Sequence, residues 1–220
     1  MFDHLDVRIV VFSLQHEQLQ VLLRPAEAGR WELPGCPLPG DQSLDEAAAR
    51  SIYDLVGLRE PYLEQLYTYG DTGRIERGSR WISVVYFAIL PSGTGYTTPE
   101  TPQSKDAQLA QWFPVDHLPP LALDHGEVIG YALRRLRYKL EYTAIGFQLL
   151  PETFSLSELQ KVYEMILGEK LDKRNFRRRI LQAGIIEETS TRRAGEGRPA
   201  RLYRYRPDAV AEIKARRLFP

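Results

Sequence analysis

The chain has 220 residues, 43% hydrophobic and 26% charged, enough ordinary globular material for one large or two modest domains. It contains no apolar run long enough to span a membrane and no secretory leader, and its single cysteine, Cys36, excludes an intrachain disulfide or a cysteine-built metal site; a cytoplasmic protein is expected. The net charge of zero hides a division: residues 1–125 carry 9 Lys/Arg against 17 Asp/Glu, whereas residues 126–220 carry 20 against 12, so a basic module suited to a polyanion follows an acidic one.

In the acidic half, Val7–Phe12 and Leu19–Leu23 are β-branched and aliphatic runs split by a polar turn, and read as a hairpin. Trp31–Leu33 is a short strand. It leads into a stretch with Pro34, Gly35, Pro37, Pro39 and Gly40, which reads as irregular loop. Ser43 and Glu46 have the spacing of a capping box, so a helix is expected from Leu44 to about Val56, stopped by Gly57. Leu63–Tyr69 and Trp81–Leu90 are further strands, the second apolar almost throughout and therefore central. Residues 91–105 lack periodicity and read as a solvent loop; Leu109–Val115 is another strand, and Asp124 caps a helix to about Tyr142. The four histidines are scattered without metal-ligand spacing and read as surface residues.

In the basic half, Ser155 and Glu158 form a second capping box before a helix that places Leu159, Val162 and Ile166 on one face and stops at Gly168. Asp172 opens a further helix ending at Gly184, with Phe176, Ile180 and Ala183 as its buried stripe. Lys173, Arg174, Arg177 and Arg178 load this helix with positive charge. Ile185–Thr189 and Arg201–Tyr205 can pair around a tip, residues 190–200, holding Arg192, Arg193 and Arg198. Helix, turn, helix and basic hairpin form a winged helix, in which arginines reach base edges in the major groove and wing cations neutralise phosphate. The bland alternative is an Arg-rich helical hairpin used for dimerisation.

Residues 33–58 resemble the Nudix box, G-x5-E-x7-R-E-U-x-E-E-x-G-U, without a gap in length. The box's first Gly falls on Cys36, its first Glu on Gln42, its Arg on Arg50, the next Glu on Ser51, and the closing Glu pair on Asp54 and Leu55. Those glutamates hold Mg²⁺ or Mn²⁺ in the hydrolases, and hard divalent ions need several oxygen ligands. With one shortened carboxylate left, no metal site and no catalytic residue is expected. Tyr69-Gly-Asp-Thr-Gly-Arg74-Ile-Glu-Arg77 is similar to the Y-G-x-x-x-R-D-P-R segment of ADP-ribose-handling Nudix proteins and regulators derived from them, with Ile-Glu in place of Asp-Pro.

Together with the basic half, the chain resembles the Nudix-related transcriptional regulators of NAD metabolism. The resemblance implies an α+β fold, a mixed sheet sandwiched by helices over residues 1–144, and a winged helix-turn-helix over 145–220. It also implies a homodimeric repressor that binds a double-stranded operator, with ADP-ribose or a related nucleotide as effector and no cofactor. Trp31, Arg50, Tyr69, Arg74 and Arg77 are the candidate effector contacts. Each has a plainer reading: Trp31 fills core, Arg50 pairs with Asp54 along the helix, and Arg74 and Arg77 are solvated at a hairpin tip. An active pyrophosphatase with an appended DNA-binding domain and an RNA- or protein-binding adaptor are the alternatives.

Overall fold

The structure is a computed structural model that describes residues 4–76, 78–91, 109–193 and 200–209. The chain divides into two compact units, Met1–Ala132 and Leu133–Pro220.

The first unit is built on a mixed sheet. Strands β1 (His4–Gln15) and β2 (Gln18–Pro25) form an antiparallel hairpin whose turn places His16 and Glu17 at positive φ. Around them lie β3 (Trp31–Glu32), β4 (Gly35–Pro37), β5 (Tyr62–Tyr69), β6 (Ile75–Glu76), β7 (Ser79–Leu90) and β8 (Gln111–Pro114). The main path runs β3-β2-β1-β7-β5, with β4 on β1, β6 on β7 and β8 on β2. The run expected to be central is central: β7 pairs in parallel with β1 and antiparallel with β5.

Helix α1 (Leu44–Val56) has the expected ends. Ser43 accepts from the Glu46 N–H, the Glu46 carboxylate accepts from the Ser43 N–H, and Gly57 closes the helix in the left-handed region at φ 72°. These bonds also hold the Glu46 carboxyl below its ordinary pKa, the Ser43 backbone N–H contributing most. The helix lays Ala47, Ala48, Ile52, Leu55 and Val56 on Val7, Ile9, Val11, Val84, Tyr86 and Ala88, one face of β1 and β7. The other face carries Val10, Phe12, Val85, Phe87 and Ile89, also buried. Helix α2 (His125–Tyr142) buries Val128, Ile129 and Ala132 in this unit; the division between the units falls within it.

The second unit follows the expected order. Helix α3 (Leu156–Leu167) starts at the Ser155–Glu158 capping box and ends at Gly168, again left-handed at φ 78°. Helix α4 (Lys173–Gln182) is capped by Asp172, whose side chain accepts from the Asn175 N–H. Strands β9 (Ile186–Arg193) and β10 (Ala200–Tyr205) form the hairpin, and Phe154 extends it through reciprocal backbone bonds with Tyr203. Phe176 meets Tyr163 edge to face at 5.5 Å between ring centroids, and Phe147 packs on Phe154 and Tyr205.

Three expectations need correction or limits. The box loop is not wholly irregular: Gly35–Pro37 pairs antiparallel with Asp6–Arg8. Pairing is open to it because Gly35 has no side chain; a Cβ there would stand 2.1 Å from the Val7 carbonyl oxygen. Strand β9 runs on through Arg193, so residues 190–193 are strand and not hairpin tip. The solvent loop expected at 91–105 lies outside the described residues after Pro91.

Gly35→Ala is therefore expected to lower stability by about 3 kcal/mol, the upper part of the range for overpacking. Urea unfolding checks it, and an unchanged midpoint would show that β4 shifts without cost.

Candidate functional site

An alternating strand places Asp6 and Arg8 on one side of β1, within an otherwise apolar run. Arg8 is 7% exposed, yet its guanidinium is fully engaged on one side. Its Nε donates to Asp6 at 2.6 Å, and its Nη1 donates to Glu32 at 3.0 Å and to the Leu33 carbonyl at 3.0 Å. Arg24 on β2 reaches the other Glu32 oxygen at 2.8 Å. Burial opposes the charge on Arg8, but Asp6 and Glu32 outweigh it and leave its pKa raised. These groups border a cleft of about 180 Å³ that also includes Gly35, Cys36 and Trp81. Trp81 is covered on one side by His4, stacked at 4.4 Å. Two guanidinium groups, two carboxylates and an indole suit a ligand with anionic and hydroxyl groups beside a flat ring.

The start of α2 closes this region from behind. His125 is fully buried, which corrects the surface reading for this histidine, whereas His4, His16 and His117 are exposed. Its Nδ1 accepts from the Leu33 N–H at 3.1 Å, immediately before the box loop. Burial, and then Arg8, Arg74 and Arg24, push its pKa from 6.5 down to about 3, so the ring is neutral and Nε2 carries the proton. Nε2 has no hydrogen-bond partner among the described residues.

Arg74 departs from the expected exposed clamp. It is 5% exposed, with Nε donating to both Asp124 oxygens at 3.1 and 2.9 Å and Nη1 donating to Ser83 Oγ at 2.7 Å and, more weakly, the Tyr69 carbonyl at 3.4 Å. A guanidinium so committed ties β6 and β7 to the head of α2. Tyr69 lies beside it, its ring 5.9 Å from the Arg74 carbon, and it packs edge to face on Tyr67. Trp31 is half-buried and set edge-on against Phe113 at 4.7 Å, the geometry of its packing alternative. Arg50 is exposed and 3.7 Å from Asp54. Both line a separate open groove of about 460 Å³ on the outer side of α1, with Tyr53 and Arg59. Arg77 lies outside the described residues. The structure thus joins Tyr69 with Arg74 but does not gather Trp31, Arg50 and Arg74 into one cleft. The charged pair two residues apart within β1 was the available signal for Arg8 and Asp6; nothing local marked Glu32 or His125.

The α1 residues do not fit a divalent cation. Ser51 and Leu55 stand one turn apart, both buried, where the box calls for carboxylates, and the Ser51 hydroxyl donates to Cys36 Sγ at 3.2 Å. Asp54 pairs outward with Arg50, and among the described residues no three His, Cys, Asp or Glu side chains are grouped to hold a metal.

In the second unit, Lys173, Arg174 and Arg178 are exposed on α4. Arg178 donates to the Asn175 side chain at 2.8 Å. Arg177 is half-buried and donates to Ser157 Oγ on α3 at 3.0 Å, to one side of the other two arginines. Arg198, and the side chains of Arg192 and Arg193 at the end of β9, lie outside the description. Arg201 and Arg204 on β10 pair with Glu188 and Glu187.

Comparison with known proteins agrees with both units. A family model described as a NUDIX domain matches residues 3–135, and one described as the NrtR DNA-binding winged helix domain matches residues 146–205. The chain is 36% identical over 210 residues to the ADPR responsive transcriptional repressor NtrR of Acinetobacter baylyi, covering 91% of this chain and 81% of that protein. Crystalline Shewanella oneidensis NrtR complexed with a 27mer DNA matches with a TM-score of 0.79 and 33% identity, over 97% of this chain and 96% of that one. The NUDIX domain of the same protein complexed with ADP ribose matches with a TM-score of 0.50 and 28% identity, over 62% of this chain and 90% of that one.

Two outcomes follow from the buried polar groups. Arg74→Met leaves Asp124 without its cation and is expected to destabilise the chain by about 3 kcal/mol; a loss below about 1 kcal/mol in urea would show that the pair is not structural. For His125, the unfolded chain takes up a proton below about pH 6.5 and the folded chain does not. Stability present above pH 6.5 is therefore lost as pH falls toward 3, by up to ~1.4 kcal/mol per unit. Comparing unfolding at pH 7.5 and 5.5 with the same pair of measurements on His125→Gln isolates this contribution, and identical pH slopes would refute it.

Proposed function

The chain belongs to the NrtR family of Nudix-domain transcriptional regulators, and on that premise we propose that it is a repressor of NAD biosynthesis or salvage genes. In this reading residues 1–144 sense ADP-ribose or a related nucleotide, and residues 145–220 hold a double-stranded operator. The observation that carries it is α4, capped at its start, buried by Phe176 and Ile180, and presenting Lys173, Arg174 and Arg178 outward beside a hairpin. That is the form of a recognition helix with its wing. The S. oneidensis complexes with DNA and with ADP ribose support the two ligand assignments.

The Nudix unit acts by binding and not by hydrolysis. Ser51 and Leu55 supply no carboxylate to a divalent ion, and without that ion a pyrophosphate is not activated for attack. The cleft at Arg8, Arg24 and Trp81 can still recognise what it does not cleave. A homodimer presents two α4 helices to two half-sites, and effector that favours a different dimer geometry weakens the operator complex. By linkage, operator weakens effector by the same factor.

Gel shifts at fixed salt, with duplexes from promoters of NAD biosynthesis and salvage genes, test this. Saturating ADP-ribose is expected to weaken operator binding at least about fivefold, and chromatography should recover the ADP-ribose intact in the presence of Mg²⁺. Unchanged operator affinity would defeat the sensing mechanism. Rapid Mg²⁺-dependent cleavage would replace it with the pyrophosphatase reading.

A further inference from the structure

Helix α4 has one outward apolar residue. Residues three and four apart share a helix face, so the face opposite Phe176 and Ile180 is led by Arg174, Arg178 and Leu181. The first two are exposed, and Leu181 leaves 49% of its surface open. Arg177 stands to one side of them, engaged with Ser157, and Arg178 is steadied by the Asn175 side chain. Leu181 lies off the stripe of Phe176 and Ile180 by which α4 reaches the core of its unit. It follows Arg174 and Arg178 on that face, on a half of the chain with an excess of eight positive charges, 20 Lys/Arg against 12 Asp/Glu in residues 126–220.

We infer that Leu181 reads thymine in duplex DNA by packing on its 5-methyl group, beside the base edges that Arg174 and Arg178 address. The inference rests on the DNA-binding reading above and extends it to a base. The major groove offers donors, acceptors and one apolar group, the thymine methyl. An aliphatic side chain on a face otherwise made of arginine therefore has one partner of its own kind there. Leu181 lies two turns beyond Arg174, about 10 Å along the helix. That is the length of about three base-pair steps, so Leu181 and Arg174 meet different base pairs. Cations elsewhere on the helix hold the phosphates and set the register in which the methyl group is met.

The test uses the full chain and a duplex it selects from a random-sequence pool. Each thymine of the enriched sequence is then replaced by deoxyuridine, which removes the methyl group and leaves the hydrogen-bonding edge unchanged. At one thymine, and at its equivalent in a repeated half-site, the wild type is expected to bind about fourfold more weakly, the factor for one methyl-sized group removed from water. Leu181→Ala, exposed and so expected to fold normally, should bind the thymine duplex more weakly than wild type and show no further loss with deoxyuridine. Tolerance of deoxyuridine at every position, or an equal loss in wild type and Leu181→Ala, overturns the inference while leaving DNA binding intact. Failure to enrich any duplex overturns the DNA-binding reading and the inference together.

Discussion

The first unit depends on a largely buried polar junction. Arg8 binds Asp6, Glu32 and the Leu33 carbonyl, His125 accepts the Leu33 N–H, and Asp124 beside it holds Arg74. These charges are largely buried, so each group is tolerable only while its partner stays in place. Such a network fixes one arrangement of strand, box loop and helix start. An apolar core of the same size would accept several. The neutral imidazole is part of the arrangement, because a proton on His125 would add a charge among three arginines.

That junction ties the head of α2 to two loops of the first unit, of which the box loop borders the cleft at Arg8. Leu33 precedes the box loop, and Arg74 follows the segment containing Tyr69. Helix α2 then continues into the second unit. A helix is stiff along its axis because every turn is hydrogen-bonded to the next.

The box helix separates shape from chemistry. Its caps and its buried stripe of alanines, Ile52 and Val56 need no carboxylate at positions 51 or 55. Replacing charged groups there by Ser51 and Leu55 removes the desolvation cost of burying them and lets Leu55 join the core. The result is a well-formed helix without the carboxylates that a divalent ion needs. In the second unit, α4 follows the same logic: Phe176 and Ile180 fix its placement, and its outer face is left to charged residues.

The sequence by itself determined the elements whose causes lie within a few residues: both capping boxes, the glycine stops at Gly57 and Gly168, the apolar stripe of α4, and the order of helices and hairpin in the basic half. It also disclosed the missing carboxylates of the box, since those are identities and not geometries. Only the tertiary structure decided that Gly35–Pro37 is a strand, that His125 is buried, that Arg74 is bound to protein groups instead of facing solvent, and that Arg177 donates to Ser157. The partners explain why. Leu33 and His125 are 92 residues apart, Arg74 and Asp124 are 50 apart, and no local pattern of polarity encodes which distant carboxylate or imidazole a folded sheet will bring to an arginine.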